Sequence, residues 1–187
     1  TPLTNIITQT QVGLSKARSE GEYRELLYSN LEEQERLAKM VNDMLWLAKT
    51  DHGLLKPESE WLDLASEVRA ILEFFEALAE EKHIQLRLEG NAPKVLGDRS
   101  MLRRAVSNLL SNAIRYTQPG EQVKVQLATA ANDEVTLTVQ NPGPEIPPEQ
   151  LTKLFDRFYR VDPARARQSD GAGLGLAIVK SIIDAHG

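Results

Sequence analysis

The chain has 187 residues, 41% of them hydrophobic, which is enough for one large domain or two small ones with cores of their own. Lys and Arg number 22 against 27 Asp and Glu, and the resulting net charge of −5 argues against nucleic acid as a partner, so any anionic ligand has to be met by local charge. The lack of cysteine excludes disulfides, thiolate metal sites and cysteine nucleophiles, and no apolar run approaches the roughly 20 residues that span a bilayer, so the expectation is a soluble chain.

Leu3, Ile7, Thr10, Leu14 and Ala17 recur at alternating intervals of four and three, which predicts a helix from Thr1 to about Ala17 with one apolar seam. Tyr23, Leu27, Asn30, Gln34, Leu37, Val41, Met44 and Ala48 repeat the alternation and predict a longer second helix, its stripe widened by Leu26, Leu31, Ala38 and Leu45. Ser19, Glu20 and Gly21 read as a polar break, so the two helices fold back as an antiparallel hairpin. One hairpin cannot bury so wide a stripe. A second copy would complete a four-helix bundle, with Asn30 and Gln34 on the seam setting its register. Periodicity alone also admits a coiled-coil linker.

Asp51, His52, Gly53 and Pro57 interrupt the helical pattern and divide a hairpin of residues 1–52 from a second domain of residues 61–187, with 53–60 as the linker. Trp61 to Leu64 reads as a short strand, Asp63 as the cap of a helix to about Lys82, and Ile84 to Leu88 and Lys94 to Leu96 as strands. Asp98 caps a helix to about Tyr116, which ends in the Gln118-Pro119-Gly120 turn. Val123, Val125, Leu127 and then Val135, Leu137, Val139 alternate as the two strands of a hairpin around Ala130 to Asp133. Helices and mixed strands together give an α+β chain.

Asn108 and Asn112 lie four apart and share a helix face, with Arg115 three further on. An amide oxygen suits Mg²⁺, which completes its shell with water and phosphate oxygens, although paired Asn residues are also ordinary surface or capping groups. Asn141-Pro142-Gly143-Pro144-Glu145-Ile146 directly follows a predicted strand, where Gly143 permits close approach of a flat ligand, or simply a turn. Downstream, a polar loop ending in Phe155 to Arg160 is followed by Gly171, Gly173, Leu174 and Gly175, which open an amphipathic helix whose first N–H groups favour phosphate. Arg157, Arg160, Arg165 and Arg167 form a basic cluster in an otherwise acidic chain, and a polyphosphate is the natural partner. No βαβ unit frames these glycines and no Gly-Lys-Ser or Gly-Lys-Thr occurs, so dinucleotide and P-loop sites are disfavoured.

In this order the blocks resemble the N box (Asn108 to Thr117), first glycine box (Asn141 to Ile146), F box (Phe155 to Arg160) and second glycine box (Gly171 to Gly175) of sensor histidine kinases. That family shares an ATPase superfamily with type II topoisomerases, a heat-shock chaperone and mismatch-repair ATPases. The resemblance implies a dimeric four-helix bundle followed by an α/β sandwich that binds ATP and Mg²⁺. By it, Asn112 ligates Mg²⁺, and Asn108, Arg115 and Tyr116 surround the phosphates. Arg160 approaches the terminal phosphate, and Asn141 and Gly143 meet adenine. Gly171, Gly173, Leu174 and Gly175 serve the nucleotide at the end of a mobile lid that runs from Phe155 to Gly173.

Asn141 stands where the family usually has Asp, a neutral acceptor in place of a charged one. Asn-Pro-Gly here, with the segment Tyr28 to Lys49, most resembles heavy-metal sensor kinases that respond to copper or silver. Thr1-Pro2-Leu3-Thr4 resembles the tail of the His-Glu-Leu-Arg-Thr-Pro-Leu-Thr phosphoacceptor motif, which puts the acceptor histidine four residues before Thr1 and the family's last strand pair after Gly187. Thr1 then matches the position that orients water for dephosphorylation. His52, His83 and His186 read as structural or solvated, with His186 a cation suited to a helix end.

The implied activity is transfer of the γ-phosphoryl group of ATP to a histidine and then to a response-regulator aspartate. The implied setting is a homodimer in the cytoplasmic portion of a bacterial inner-membrane protein, tied to the membrane only through other parts of it. The alternatives are a nucleotide-binding and regulator-docking module without turnover, or a stand-alone ATPase of the chaperone or topoisomerase branch.

Overall fold

A computed structural model describes residues 2–130, 134–161 and 172–186; Thr1, Arg165, Arg167, Gly171 and residues 131–133, where the sequence predicts a turn, lie outside them. Helices α1 (Pro2–Leu14) and α2 (Glu20–Asp51) form the expected hairpin. The break falls earlier than the sequence predicts. Ser19 caps α2: its hydroxyl accepts from the Glu22 N–H at 3.3 Å while the Glu22 carboxylate accepts from the Ser19 N–H at 2.8 Å. This reciprocal box satisfies two N-terminal donors and draws Glu20 and Gly21 into the helix despite the low propensity of glycine. At the other side, Ser15 and Arg18 both donate to the Val12 carbonyl, which ends α1 at Leu14 rather than Ala17.

Polar seam residues set the register of the hairpin itself. Asn30 Nδ2 donates to Thr10 Oγ1 at 3.1 Å, and Ser29 donates to Gln9 at 3.3 Å. Most of the apolar seam, including Leu3, Ile7, Leu27, Val41 and Met44, is exposed on the single chain.

Beyond the hairpin, β1 (Glu60–Leu62) pairs antiparallel with β3 (Val95–Gly97). The second sheet has the order β2 (Gln85–Gly90), β4 (Gln122–Thr129), β5 (Val135–Gln140). Strands β4 and β5 form the predicted antiparallel pair, whereas β2 and β4 run parallel, a pairing no local pattern announces. The Gln118 turn creates it. Glu121 N–H donates to the Gln118 carbonyl at 3.2 Å, Pro119 and Gly120 occupy its centre, and Gly120 takes φ +90°, which a side chain resists. Gly120 N–H then donates to the His83 carbonyl at 2.8 Å, aligning Gln122 with Gln85 at the start of both strands.

Two cores result. Val123, Val125 and Leu127 point from β4 toward α3 (Leu64–Glu81) and α4 (Arg99–Tyr116), where Val68, Ile71, Leu110 and Ile114 meet them. A second cluster joins Met101 and Ala105 of α4 to Leu174 and to Ile178 and Ile182 of α6 (Gly175–His186). Leu47 of the hairpin, only 2% exposed, belongs to this second core. A short helix, α5 (Pro148–Leu151), precedes the F-box residues. No helix among the described residues is long and apolar enough to cross a membrane.

Asp98 ties several of these elements together. Its carboxylate accepts from the N–H groups of Met101 at 3.0 Å and Glu58 at 2.9 Å and from the Ser100 hydroxyl at 2.8 Å. Its own N–H donates to His186 Nε2 at 3.0 Å, and His186 Nδ1 lies 2.8 Å from the Ile182 carbonyl. A ring that accepts at Nε2 and donates at Nδ1 is neutral. His186 is therefore structural, as the sequence predicts, but acts as an acceptor rather than as a cation on the helix dipole.

Candidate functional site

Helix α4 turns Ala105, Val106, Leu110, Ala113 and Ile114 into the cores, and this leaves Asn108, Asn112 and Arg115 half-buried along its flank. Asn108 lies against the start of α6: a Cβ on Gly175 would sit 3.7 Å from Asn108 Oδ1. Asn108 Nδ2 is buried and has no hydrogen-bond partner among the described residues. Such a donor costs about 1–3 kcal/mol unless something accepts from it, which marks the junction of α4 with the N-terminus of α6 as a place for an acceptor.

The first glycine block lies against the C-terminal end of α4. A Cβ on Gly143 would lie 3.6 Å from the Tyr116 carbonyl and 3.5 Å from Asn141 Nδ2. Asn141 Nδ2 donates to the Pro142 carbonyl at 3.1 Å, so the amide is already oriented by its own loop. Tyr116 and Asn141 are exposed.

Just before α6 the Phe158 N–H donates to the Gly173 carbonyl at 2.9 Å. Both residues take left-handed backbone, φ +63° and φ +71°. A Cβ on Gly173 would come within 2.9 Å of the Tyr159 carbonyl, so glycine is required there on two counts. Leu174, predicted to serve the nucleotide, has its side chain in the second core, 1% exposed, and only its backbone can face a ligand. Within this core it anchors the first turn of α6, where the Ile178 N–H donates to its carbonyl at 2.9 Å.

Arg115 is the electrostatic focus. Burial first, and then the neighbouring cations Arg160 and Arg36, hold its pKa below the usual arginine value, with Tyr116 acting in the opposite sense. The F-box Arg160 acts on the N-box Arg115 as a like charge. Arg36 was not foreseen: on α2 it looks like one partner of an ordinary ion pair with Glu33, three residues before it and 3.2 Å away. Arg157, grouped with the basic cluster by sequence, turns instead to the hairpin and donates to Asp51 at 2.6 and 2.5 Å. Thr1 and Gly171, as well as Arg165 and Arg167, lie outside the described residues.

Residues 1–53 match the His Kinase A (phospho-acceptor) domain, and residues 97–187 match the Histidine kinase-, DNA gyrase B-, and HSP90-like ATPase. The chain belongs to the sensor histidine kinases. Sensor histidine kinase CusS of Escherichia coli O6:H1 is 56% identical over the whole chain, which spans 38% of that relative's length. Among solved structures, the Acinetobacter baumannii histidine kinase AdeS superposes with a TM-score of 0.79 at 26% identity, covering 99% of this chain and 84% of that one. The mycobacterial sensor histidine kinase MprB is 34% identical, with a TM-score of 0.58, covering 69% of this chain and 80% of that one. Along the chain the N box lies on α4, the first glycine box against the C-terminal end of that helix, and Phe158, Tyr159 and Gly173 of the F box and second glycine box together just before α6.

Proposed function

We propose that the protein is an ATP-dependent histidine kinase of a two-component system in the heavy-metal branch, responding to copper or silver. Residues 97–187 carry the ATPase-family domain, which supports ATP as the ligand. The observation that carries the reading is the buried Asn108 Nδ2, without a partner among the described residues, beside Gly175 at the start of α6. A polyanion there would give the amide an acceptor and Arg115, on the same flank of α4, a counter-charge.

Asn112, one turn beyond Asn108, would hold Mg²⁺. Among the described residues no group of three His, Asp or Glu side chains could hold a metal, so the remaining ligands would be phosphate oxygens and water. ATP supplies the phosphoryl group, and Mg²⁺ neutralises its charge. Asn108, Arg115, Tyr116 and Arg160 bind and orient the phosphates. Asn141 and Gly143 receive adenine, and Gly171, Gly173, Leu174 and Gly175 serve the nucleotide through backbone groups. Thr1 would position water in the reverse, dephosphorylating reaction.

The hairpin of residues 1–52 would dimerise through its exposed apolar seam, follow directly on an acceptor histidine four residues before Thr1 and dock the response regulator, with 53–60 as the linker and 61–187 as the catalytic domain. The match of residues 1–53 to the phospho-acceptor domain supports this assignment. Its setting would be the cytoplasmic side of a bacterial inner membrane. The 56% identity with CusS supports the metal-sensing branch.

Calorimetry with Mg-ATP tests the site. Asn112→Ala should abolish Mg²⁺-dependent binding, and unchanged affinity would remove the metal assignment. In the full-length protein, acid-labile, alkali-stable label from γ-labelled ATP that passes to a response regulator is the expected outcome. Steady phosphate release without such a phosphoprotein would favour a stand-alone ATPase instead.

A further inference from the structure

Two segments meet just before α6: the Phe158 N–H donates to the Gly173 carbonyl at 2.9 Å, and a Cβ on Gly173 would lie 2.9 Å from the Tyr159 carbonyl. One turn of α2 holds both of them. Leu47 lies in the buried core with Leu174, Ala177 and Ile178, which fixes the segment that follows Gly173. Asp51, four residues on and therefore on the same helix face, accepts from Arg157 Nη2 at 2.6 and 2.5 Å, which fixes the segment that leads into Phe158.

The apolar and the ionic contact act differently. Leu47 is buried and contributes to the stability of the core. Asp51 and Arg157 are 44% and 46% exposed, so their pair is screened by salt and adds little to stability. Its effect is on conformation. Phe158 takes φ +63°, a left-handed backbone that a non-glycine residue keeps only where its surroundings over-determine it. The Phe158 ring is exposed, so side-chain packing does not supply that constraint. The hydrogen bond to Gly173 supplies it on one side, and the tether of the preceding residue, Arg157, to Asp51 supplies it on the other.

We propose that Asp51 of the hairpin is a positioning residue of the nucleotide site: through Arg157 it keeps Phe158 against Gly173 and so presets the backbone where α6 begins. The inference rests on the reading of that helix start as part of an ATP site. A preset backbone need not be ordered by the nucleotide, so the Asp51–Arg157 pair raises affinity. Because coupling is reciprocal, bound nucleotide in turn strengthens the hold of α2 on the ATP-binding domain.

Calorimetry with Mg-ATP on the whole chain tests it. Asp51→Asn and Arg157→Gln should each weaken binding about two- to fivefold, the range expected of an exposed ion pair, and the double variant should lose no more than either alone. The gap between parent and variants should narrow as salt is raised. Arg157→Asp, which faces Asp51 with a like charge, should lose more, and adding Asp51→Arg to it should restore most of the parent affinity. A merely structural role would not produce that rescue, and thermal melts in the absence of nucleotide should move little in any of these variants. Unchanged or tighter ATP binding in Asp51→Asn, additive losses in the double variant, or a swapped pair no better than Arg157→Asp alone would overturn the positioning role. A parent chain that does not bind Mg-ATP would overturn the ATP-site reading itself.

Discussion

The Asp98 N–H donates to His186 Nε2 at 3.0 Å and so joins the start of α4 to the end of α6, 88 residues away in the chain. Replacement of His186 by Ala leaves a partly buried N–H without its acceptor. A loss of about 1–3 kcal/mol is expected in urea denaturation. Both helices border the proposed nucleotide site, so ATP affinity should fall together with stability rather than independently of it.

The Asp98 carboxylate adds an acid-side dependence. Burial works against its charge, but the N–H groups of Met101, Glu58 and Ser100 and the Ser100 hydroxyl prevail and hold its pKa below the ordinary Asp value. The unfolded chain therefore takes up this proton first as pH falls. The contribution is complete above the ordinary Asp value of about 3.9 and is lost as pH drops through the folded pKa. Asp98→Asn should flatten the decline of stability below about pH 4 in chemical denaturation measured across pH.

Asp43 and Arg104 are partly buried partners at 2.6 Å, with Lys39 a second neighbour of the carboxylate at 3.3 Å. Asp43→Ala should cost about 1–3 kcal/mol, since a guanidinium is left without its carboxylate. A double-mutant cycle with Arg104→Ala should return a coupling of about 1 kcal/mol or more. Small-angle scattering of Asp43→Ala should show a larger radius of gyration as the ATP-binding domain leaves α2.

Gly173 allows neither a side chain nor a change of φ without strain, since φ is +71° and the Tyr159 carbonyl is close. Gly173→Ala should cost about 1–3 kcal/mol just before α6. Thermal melts with and without Mg-ATP should show a smaller nucleotide-induced rise than in the parent chain.

Much of this was legible without coordinates because its causes are local. Asp63 and Asp98 cap the helices they precede through hydrogen bonds to Ser66 and Met101, each three residues on. The alternation of Val123, Val125 and Leu127 specified an inward face, and the four-residue interval of Asn108 and Asn112 specified a common flank. The boxes from Asn108 to Gly175 are recognisable for the same reason, since each is defined by short intervals.

The tertiary structure decided what depends on distant segments. Strand β2 could pair with either neighbour by its own pattern, and the Gly120 to His83 hydrogen bond across the Gln118 turn selects the parallel alignment with β4. Helix α2 shows a conspicuous apolar seam, yet a different face, through Met40, Asp43, Leu47 and Asp51, meets the ATP-binding domain. A charged helix is compatible with many docking faces, and only the partner's own charges, on Arg104 and Arg157, single one out. His186 became a neutral acceptor for the same reason: the ring was set by a backbone N–H that folding alone brings to it.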